Sequence, residues 1–284
     1  MTDALSRRGY SGFQRIDSGG QANVYKSVKN GRDYAIKVVH IEDPNSQKLD
    51  DDLKRELQIV NNLKHPNCIH IEELFRTRTK IYIIMDFAPN GNIGNVIRKN
   101  GPLCEWNAKA WFCPVGRALR YLHEHKISHR DIKLDNVLLD AYLNPILTDF
   151  GFSRFVVVDP VTGKATLSDT YCGTTSYSAP EVLKHTPYEP FPADIWSMGV
   201  LLFIMLNQTY PFDRHDKEAM ISKQLAKQYA FQEDIEARLT AEAKELVALM
   251  LEPSPPKRPS IVTLCQHGWF PVVLSEADQP RGSN

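Results

Sequence analysis

Cysteine is scarce in this chain: five in 284 residues, at positions 68, 104, 113, 172 and 265. None stands in C-x-x-C spacing, and an odd count does not suit a disulfide framework, so a small stapled secreted scaffold is excluded and a reducing compartment is expected. Net charge is lacking too. Lys plus Arg and Asp plus Glu are each 34, which argues against a nucleic-acid-binding domain, whose charge is normally basic. Long apolar runs are absent. The longest, Met198 to Leu206, is far short of the roughly 20 residues that cross a bilayer, and it reads as a buried helix. No apolar stretch follows Met1–Arg8, so no signal peptide is legible, and Thr2 stands where N-myristoylation needs glycine. There is no internal repeat and no low-complexity tract. What remains is a soluble intracellular protein, with 42% apolar residues available for a core and a length that suits one large domain or two lobes.

The periodicity changes character along the chain. Residues 10–40 read as short strands. Val24–Val28 and Tyr34–Val39 are β-rich and flank the turn Lys29-Asn30-Gly31-Arg32. Leu49, Leu53, Leu57, Val60 and Leu63 recur at helical spacing, which predicts a helix from about 49 to 63, ended by His65-Pro66-Asn67. Strands follow near 68–74 and 81–87, then turn chemistry at Ala88-Pro89-Asn90-Gly91. Beyond it the pattern is helical. A long segment spans Glu105–His125, within which Pro114 either kinks the helix or marks a late start. Further helices fall near 192–206, 215–228, 240–251 and 260–267, and the polar stretch 275–284 reads as a frayed end. Strands plus one helix, a short linker, then mostly helices describe an α+β chain with two lobes and a cleft between them.

The chemistry concentrates in 126–181. His129-Arg130-Asp131-Ile132-Lys133-Leu134-Asp135-Asn136 is followed by Asp149-Phe150-Gly151. A carboxylate at Asp131 can meet a substrate hydroxyl and accept its proton. Asn136 and Asp149 offer hard oxygen ligands for magnesium. Both segments in this order, with a cation at Lys133, are hard to obtain as a solvated loop and a turn.

These segments resemble the eukaryotic protein kinase family from about residue 10 to 270. The resemblance implies a bilobal α+β fold, with a small β-rich lobe (10–87) carrying one main helix, a larger mainly helical lobe (88–270) and a short polar tail (271–284). It implies transfer of the ATP γ-phosphate to protein hydroxyls, with ATP and Mg²⁺ as cofactors. By the same resemblance Asp131 is the base, Lys133 stabilises the transferring phosphoryl group and points to serine or threonine acceptors, and Asn136 and Asp149 hold Mg²⁺. Tyr34-Ala35-Ile36-Lys37 matches the strand whose Lys37 neutralises phosphates, and Glu56 is the candidate carboxylate that holds Lys37. Asp17-Ser18-Gly19-Gly20-Gln21-Ala22-Asn23-Val24, preceded by Ile16, occupies the place of the glycine-rich phosphate loop. Only Gly19 keeps its glycine, and Asp17 adds negative charge beside the expected phosphates. Met85 would back the adenine pocket and Asp86, Phe87 and Ala88 would present backbone to the base. Val24, Ala35 and Leu138 would sandwich it, and Asp135 is a further contact at the cleft.

Other matches are scaffold. Glu181 of Ala179-Pro180-Glu181 is expected to pair with Arg258. Asp194 is expected to tie down the catalytic-loop backbone. Val60, Ile71, His129 and Phe150 would stack as a spine between the lobes. Thr170 is the expected phosphate acceptor of the loop before Ala179, by an upstream kinase or by autophosphorylation, with Arg130 as its partner and Ser168 as the second choice. Thr174 is expected against Asp131 and Lys133. Locally, Asp149–Arg154, Tyr171-Cys172-Gly173 and Tyr188-Glu189-Pro190 look like testis-specific serine/threonine kinases of the calmodulin-dependent group, though no calmodulin-binding helix is visible. Asn92 stands where basophilic relatives often place a carboxylate. The expected protein is a cytoplasmic monomer that acts on protein substrates and contacts neither nucleic acid nor membrane. Two other readings are a pseudokinase scaffold, favoured only by the poor glycine loop, and a small-molecule phosphotransferase, disfavoured by Ala179-Pro180-Glu181 and the hydroxyl-rich loop before it.

Overall fold

The computed structural model describes residues 2–18, 22–41, 59 and 63–271. Five antiparallel strands form the first layer: β1 (Ser11–Ser18), β2 (Ala22–Lys29), β3 (Arg32–His40), β4 (Ile71–Arg76) and β5 (Lys80–Asp86), in the order β1-β2-β3-β5-β4. The β2–β3 turn is set by Asn30 (φ 52°) and Gly31 (φ 76°), and Lys29 pairs with Arg32 across it. Two consecutive positive-φ residues suit the right-handed twist of the flanking strands.

Strand alternation sends neighbours to opposite faces. Tyr34, Ile36 and Val38 of β3 and Tyr82 and Ile84 of β5 form one small apolar cluster with Leu5 and Tyr10. Ala35 of β3 and Ile81, Ile83 and Met85 of β5 belong to the large core that continues into the helical layer. The same alternation turns Lys37 toward the cleft, because Lys37 shares the face of Ala35. The outer face is covered by a segment that has no periodicity in sequence: the turn of helix Thr2–Ser6 delivers Leu5, fully buried, onto the sheet. Arg8 pairs with Glu73 and lies over the Phe75 ring.

The predicted helix over 49–63, with Glu56 and Val60, lies outside the described residues apart from Ile59 and Leu63. Ile59 is helical and fully buried. Gly19, Gly20 and Gln21 and the tail beyond 271 also lie outside them.

The second layer is helical. Helix Ile93–Asn100, not singled out from the sequence, is capped by the Asn92 side chain, which accepts from Asn95 N at 2.8 Å. Helix Glu105–Glu124 is continuous through Pro114, so the proline does not mark a late start. Its missing N–H removes one helical bond. Helix Pro190–Asn207 is apolar on all sides and sits at the centre of this layer, with Asp194 and Trp196 among its buried residues. By length and composition it could cross a membrane, yet 83% of that window is packed inside the protein, as expected of a core helix hydrophobic all round. Helix Ala241–Met250 packs along it, helix Ile261–Leu264 packs on Glu105–Glu124, and helices Lys217–Leu225 and Glu233–Glu236 complete the layer. Between the long helices lie β6 (Ile127–Ser128), β7 (Val137–Leu139), β8 (Pro145–Leu147) and β9 (Arg154–Phe155). They form two short ladders, β6 with β9 and β7 with β8, in a region that reads from sequence as loop.

Candidate active site

Asp194 organises the site from beneath. It is 1% exposed, and its Oδ2 accepts from Ser128 Oγ (2.8 Å) and His129 N (2.9 Å), while Oδ1 accepts from Arg130 N (2.8 Å). His123 Nε2 lies 2.9 Å from Oδ2. Burial raises this carboxyl, but the bond and charge of His123, the nearby His129 and the backbone N–H of Arg130 outweigh it and hold the group below the usual range. The three residues before the expected base are thereby fixed to a helix remote from them in the chain, as Asp194 was expected to do.

His129 is fully buried with its ring 5.2 Å from Phe150. Its burial lowers the imidazole pKa against the pull of Asp194, Asp131 and Asp149. The neutral ring satisfies both neighbours as the Nε2–H tautomer: Nε2 donates to Thr148 O at 3.1 Å and Nδ1 accepts from Asp131 N at 3.3 Å. Two spine members therefore touch; Ile71 is half-buried against the same core.

Asp131, 4% exposed, has both oxygens engaged. Oδ2 accepts from Lys133 Nζ (2.7 Å) and Asn136 Nδ2 (2.9 Å). Oδ1 accepts from Thr174 N (3.0 Å) and Thr174 Oγ1 (2.8 Å), and Lys133 Nζ also reaches Thr174 Oγ1 at 2.9 Å. An ionised carboxylate has about four acceptor positions, so all are filled. A position opens only when one donor leaves, and Lys133 is the donor on a flexible stem.

The β7–β8 hairpin brings the two candidate metal ligands together. Asn136 closes the turn before β7 and Asp149 follows β8, with Thr148 N bonded to Asn136 O at 2.9 Å. The Asn136 amide nitrogen is committed to Asp131 O (2.8 Å) and Oδ2, which turns its carbonyl oxygen the other way. Asp149 has left-handed backbone (φ 65°), and Lys37 Nζ meets its Oδ1 at 2.7 Å. Burial raises the Asp149 carboxyl; Lys37, His129 and the Gly151 N–H overcome that and keep it ionised below the ordinary carboxylate value. Among the described residues no group of three or more His, Cys, Asp or Glu could hold a metal unaided. One amide oxygen and one carboxylate, with phosphates and water completing the shell, is how Mg²⁺ is usually bound, so the residues fit the ion.

The residues expected to receive the nucleotide come from adjacent strands and the segment after them. Ala35 pairs with Met85 across β3 and β5, and Val24 pairs with Lys37 across β2 and β3. Ala35, Met85 and Ala88 are buried, while Val24 and Leu138 are half-buried. Ser18 pairs with Asn23 and Ala22 with Val39, so the strands flanking the phosphate loop are in register. Ile16 is 45% exposed, and Asp17 Oδ1 accepts from Ser18 N at 2.8 Å. Asp86 carries an ion pair with Arg32 at 2.7 Å, and Lys26 lies over the Phe87 ring. Asp135 is exposed with Arg98 3.6 Å away. Glu56, the expected partner of Lys37, is outside the described residues.

Two cations lie by the loop at Thr170. Arg130 bonds Ser168, whose hydroxyl also accepts from Thr170 N at 3.3 Å. Arg130 donates through Nε to Phe152 O (2.6 Å) and through Nη1 to Ser168 Oγ (3.5 Å), while Arg154 Nη1 meets Thr170 Oγ1 at 3.1 Å. Ser168 is buried and bridges to Tyr188 by two backbone bonds, whereas Thr170 is exposed. Sequence spacing could not find Arg154, Tyr188 or Tyr177, whose hydroxyl meets Leu134 N at 3.4 Å, because their partners are remote in the chain.

A model of the protein kinase domain matches residues 10–270. The chain is 36% identical to testis-specific serine/threonine-protein kinase 3 of Mus musculus over 273 residues, 95% of this chain and 99% of the relative. It is 37% identical to the Homo sapiens protein of the same name over 273 residues, with the same coverage. It is 36% identical to CBL-interacting serine/threonine-protein kinase 13 of Arabidopsis thaliana over 257 residues, 90% of this chain and 50% of that relative. With the site geometry above, the conclusion is that this chain belongs to the protein kinase family, of the serine/threonine type.

Proposed function

We propose that this enzyme transfers the γ-phosphate of ATP to serine and threonine hydroxyls of protein substrates, with Asp131 as the base that receives the hydroxyl proton. The observation that carries the reading is the nearly buried Asp131 carboxylate, held at 2.7 Å by Lys133 and at 2.9 Å by Asn136. Lys133 moves from Asp131 to the transferring group, which frees one acceptor position on Oδ2 for the incoming hydroxyl. Lys37, and Glu56 with it, positions the phosphates. The segment Ile16–Val24 covers them. Ala35, Met85, Asp86, Ala88 and Leu138 receive the adenine, and Asp135 lines the opening. Asn136 and Asp149 would hold Mg²⁺, which neutralises charge on the phosphates when bound.

Thr170 takes a regulatory phosphate, from an upstream kinase or from the enzyme itself. Its exposure and the neighbouring Arg154 support this, since phosphate gains most beside a guanidinium. The protein acts as a cytoplasmic monomer without nucleic-acid or membrane partners. Five unpaired thiols and a balanced charge support that placement.

The test is labelling of a generic protein substrate with radiolabelled ATP by wild type and Asp131→Asn. Loss of the base lowers turnover on the order of 10²–10⁴-fold. Equal labelling by the two proteins overturns the assignment.

A further inference from the structure

We propose that Gly173 is a positioning residue for catalysis: its lack of a side chain lets Thr174 close onto the base Asp131. The proposal rests on the assignment of Asp131 above and adds the reason why its orienting contact can exist.

Two observations converge on Gly173. Its φ is +94°, a backbone conformation that L side chains rarely adopt. A Cβ built there would lie 2.5 Å from the carbonyl oxygen of Arg130 and 3.6 Å from Asp131 Oδ1. The obstructing atom is backbone, so no rotamer relieves the contact. Nor can that backbone easily retreat. Arg130 N is held at 2.8 Å and His129 N at 2.9 Å by the buried Asp194 carboxylate, and Asp131 N is held by His129 Nδ1 at 3.3 Å. Arg130 itself has φ 65°, already left-handed. The segment carrying residue 173 must therefore be the one that moves.

Its next residue is Thr174, whose N–H and hydroxyl both bond to Asp131 Oδ1, at 3.0 and 2.8 Å. These contacts, one residue from the clash, are the first to be lost. They set the orientation of the carboxylate on one side, while Asn136 sets it on the other. When Lys133 leaves for the phosphoryl group, Thr174 and Asn136 are what keep the base aimed. Misplacements near 1 Å at a reacting group can cost about 100-fold in rate, so relief of this clash is expected to show in turnover.

A comparison within the same protein separates the clash from the cost of φ. Gly163 also has positive φ (+67°), but a Cβ there meets nothing within 4 Å. Gly173→Ala is expected to lower kcat by roughly ten- to a hundredfold with affinity for a fluorescent ATP analogue unchanged, while Gly163→Ala retains kcat. Thr174→Val is expected to lower kcat and Thr174→Ser to restore most of it. Thr174→Val keeps the backbone N–H bond to Asp131 and loses only the hydroxyl bond, so in that background the added fold-loss from Gly173→Ala is expected to be smaller than in wild type.

Three results overturn the proposal: Gly173→Ala with wild-type kcat, equal fold-losses from Gly173→Ala in the wild-type and Thr174→Val backgrounds, or a fall in nucleotide affinity matching the fall in kcat, the mark of general disruption. Should Gly173→Ala not fold, the two Thr174 variants decide. Wild-type kcat for Thr174→Val shows that the hydroxyl contact does not orient the base, and overturns the proposal. A wild-type protein that labels no substrate would instead refute the kinase reading, and the two failures are distinct.

Discussion

Arg258 and Glu181 form a buried ion pair across 77 positions of sequence, Nη1 to Oε1 at 2.8 Å and Nη2 to Oε2 at 3.2 Å. The Arg258 side chain is fully buried, its remaining donors reach the carbonyls of Glu252, Pro192 and Pro253, and its guanidinium lies 5.2 Å over Trp196. One side chain thus joins helix Pro180–Leu183, the start of the core helix and the turn at 252–258. Removing one member of a buried pair costs about 3–5 kcal/mol. Arg258→Ala is expected to lower the free energy of unfolding by that amount in a urea titration. Arg258→Lys is expected to recover only part, because an ammonium cannot supply the two parallel bonds.

Acid should undo the clamp under the catalytic loop. The Asp194 carboxyl is held below its ordinary value in the folded protein. A depressed folded pKa contributes stability that is complete above the unfolded value of about 3.9 and is lost as pH falls below it. Unfolding free energy measured from pH 7 down to pH 3 is expected to drop at the acid end. Asp194→Asn is expected to start lower, by about 1–3 kcal/mol for the donors left without an acceptor, and to show a shallower acid slope. Parallel slopes for the two proteins would contradict the linkage.

Phosphate at Thr170 would meet Arg154, whose Nη1 already lies 3.1 Å from the hydroxyl. Thr170→Ala is expected to lower kcat and leave nucleotide affinity intact, and mass spectrometry over residues 152–178 should find the phosphate on the wild-type protein. Arg154→Ala should mimic the effect. Unchanged kcat together with full protection of this segment from protease would sink the assignment.

Asp17 brings a negative charge to the strand that leads into the phosphate loop, on an exposed side chain. Asp17→Gly removes the charge and restores backbone freedom, so ATP affinity is expected to rise by a few-fold, and more at low salt than at high salt. A flat affinity across ionic strengths would show that the electrostatic reasoning is wrong.

Some of this protein was legible as pattern. Tyr34–Val39 is rich in strand-forming residues, Lys29-Asn30-Gly31-Arg32 is a two-residue turn, and the helical spacing in Glu105–His125 is regular, so these elements stand where they were expected. What escaped was short or contextual. Strands of two or three residues such as β6 and β9 have no period to detect. The first ten residues carry a single Leu5 whose burial depends on an aromatic face built by β3 and β5. Arg154 beside Thr170 was not legible either, because only the path of the loop brings it to 3.1 Å from that hydroxyl.

The sequence by itself determined which groups we propose to carry the chemistry. Asp131, Lys133, Asn136 and Asp149 are identifiable because a phosphoryl transfer needs a base, a cation and oxygen ligands at narrow spacing, and local order in the chain records that. Tertiary structure alone decided how those groups are held. The grip of Asp194 on the catalytic loop, the closure of Thr174 onto Asp131 and the bare approach of Gly173 to Arg130 each join segments more than 40 residues apart. Such contacts arise from the packing of whole elements, and a single chain order contains no trace of the distance at which two remote backbones will meet.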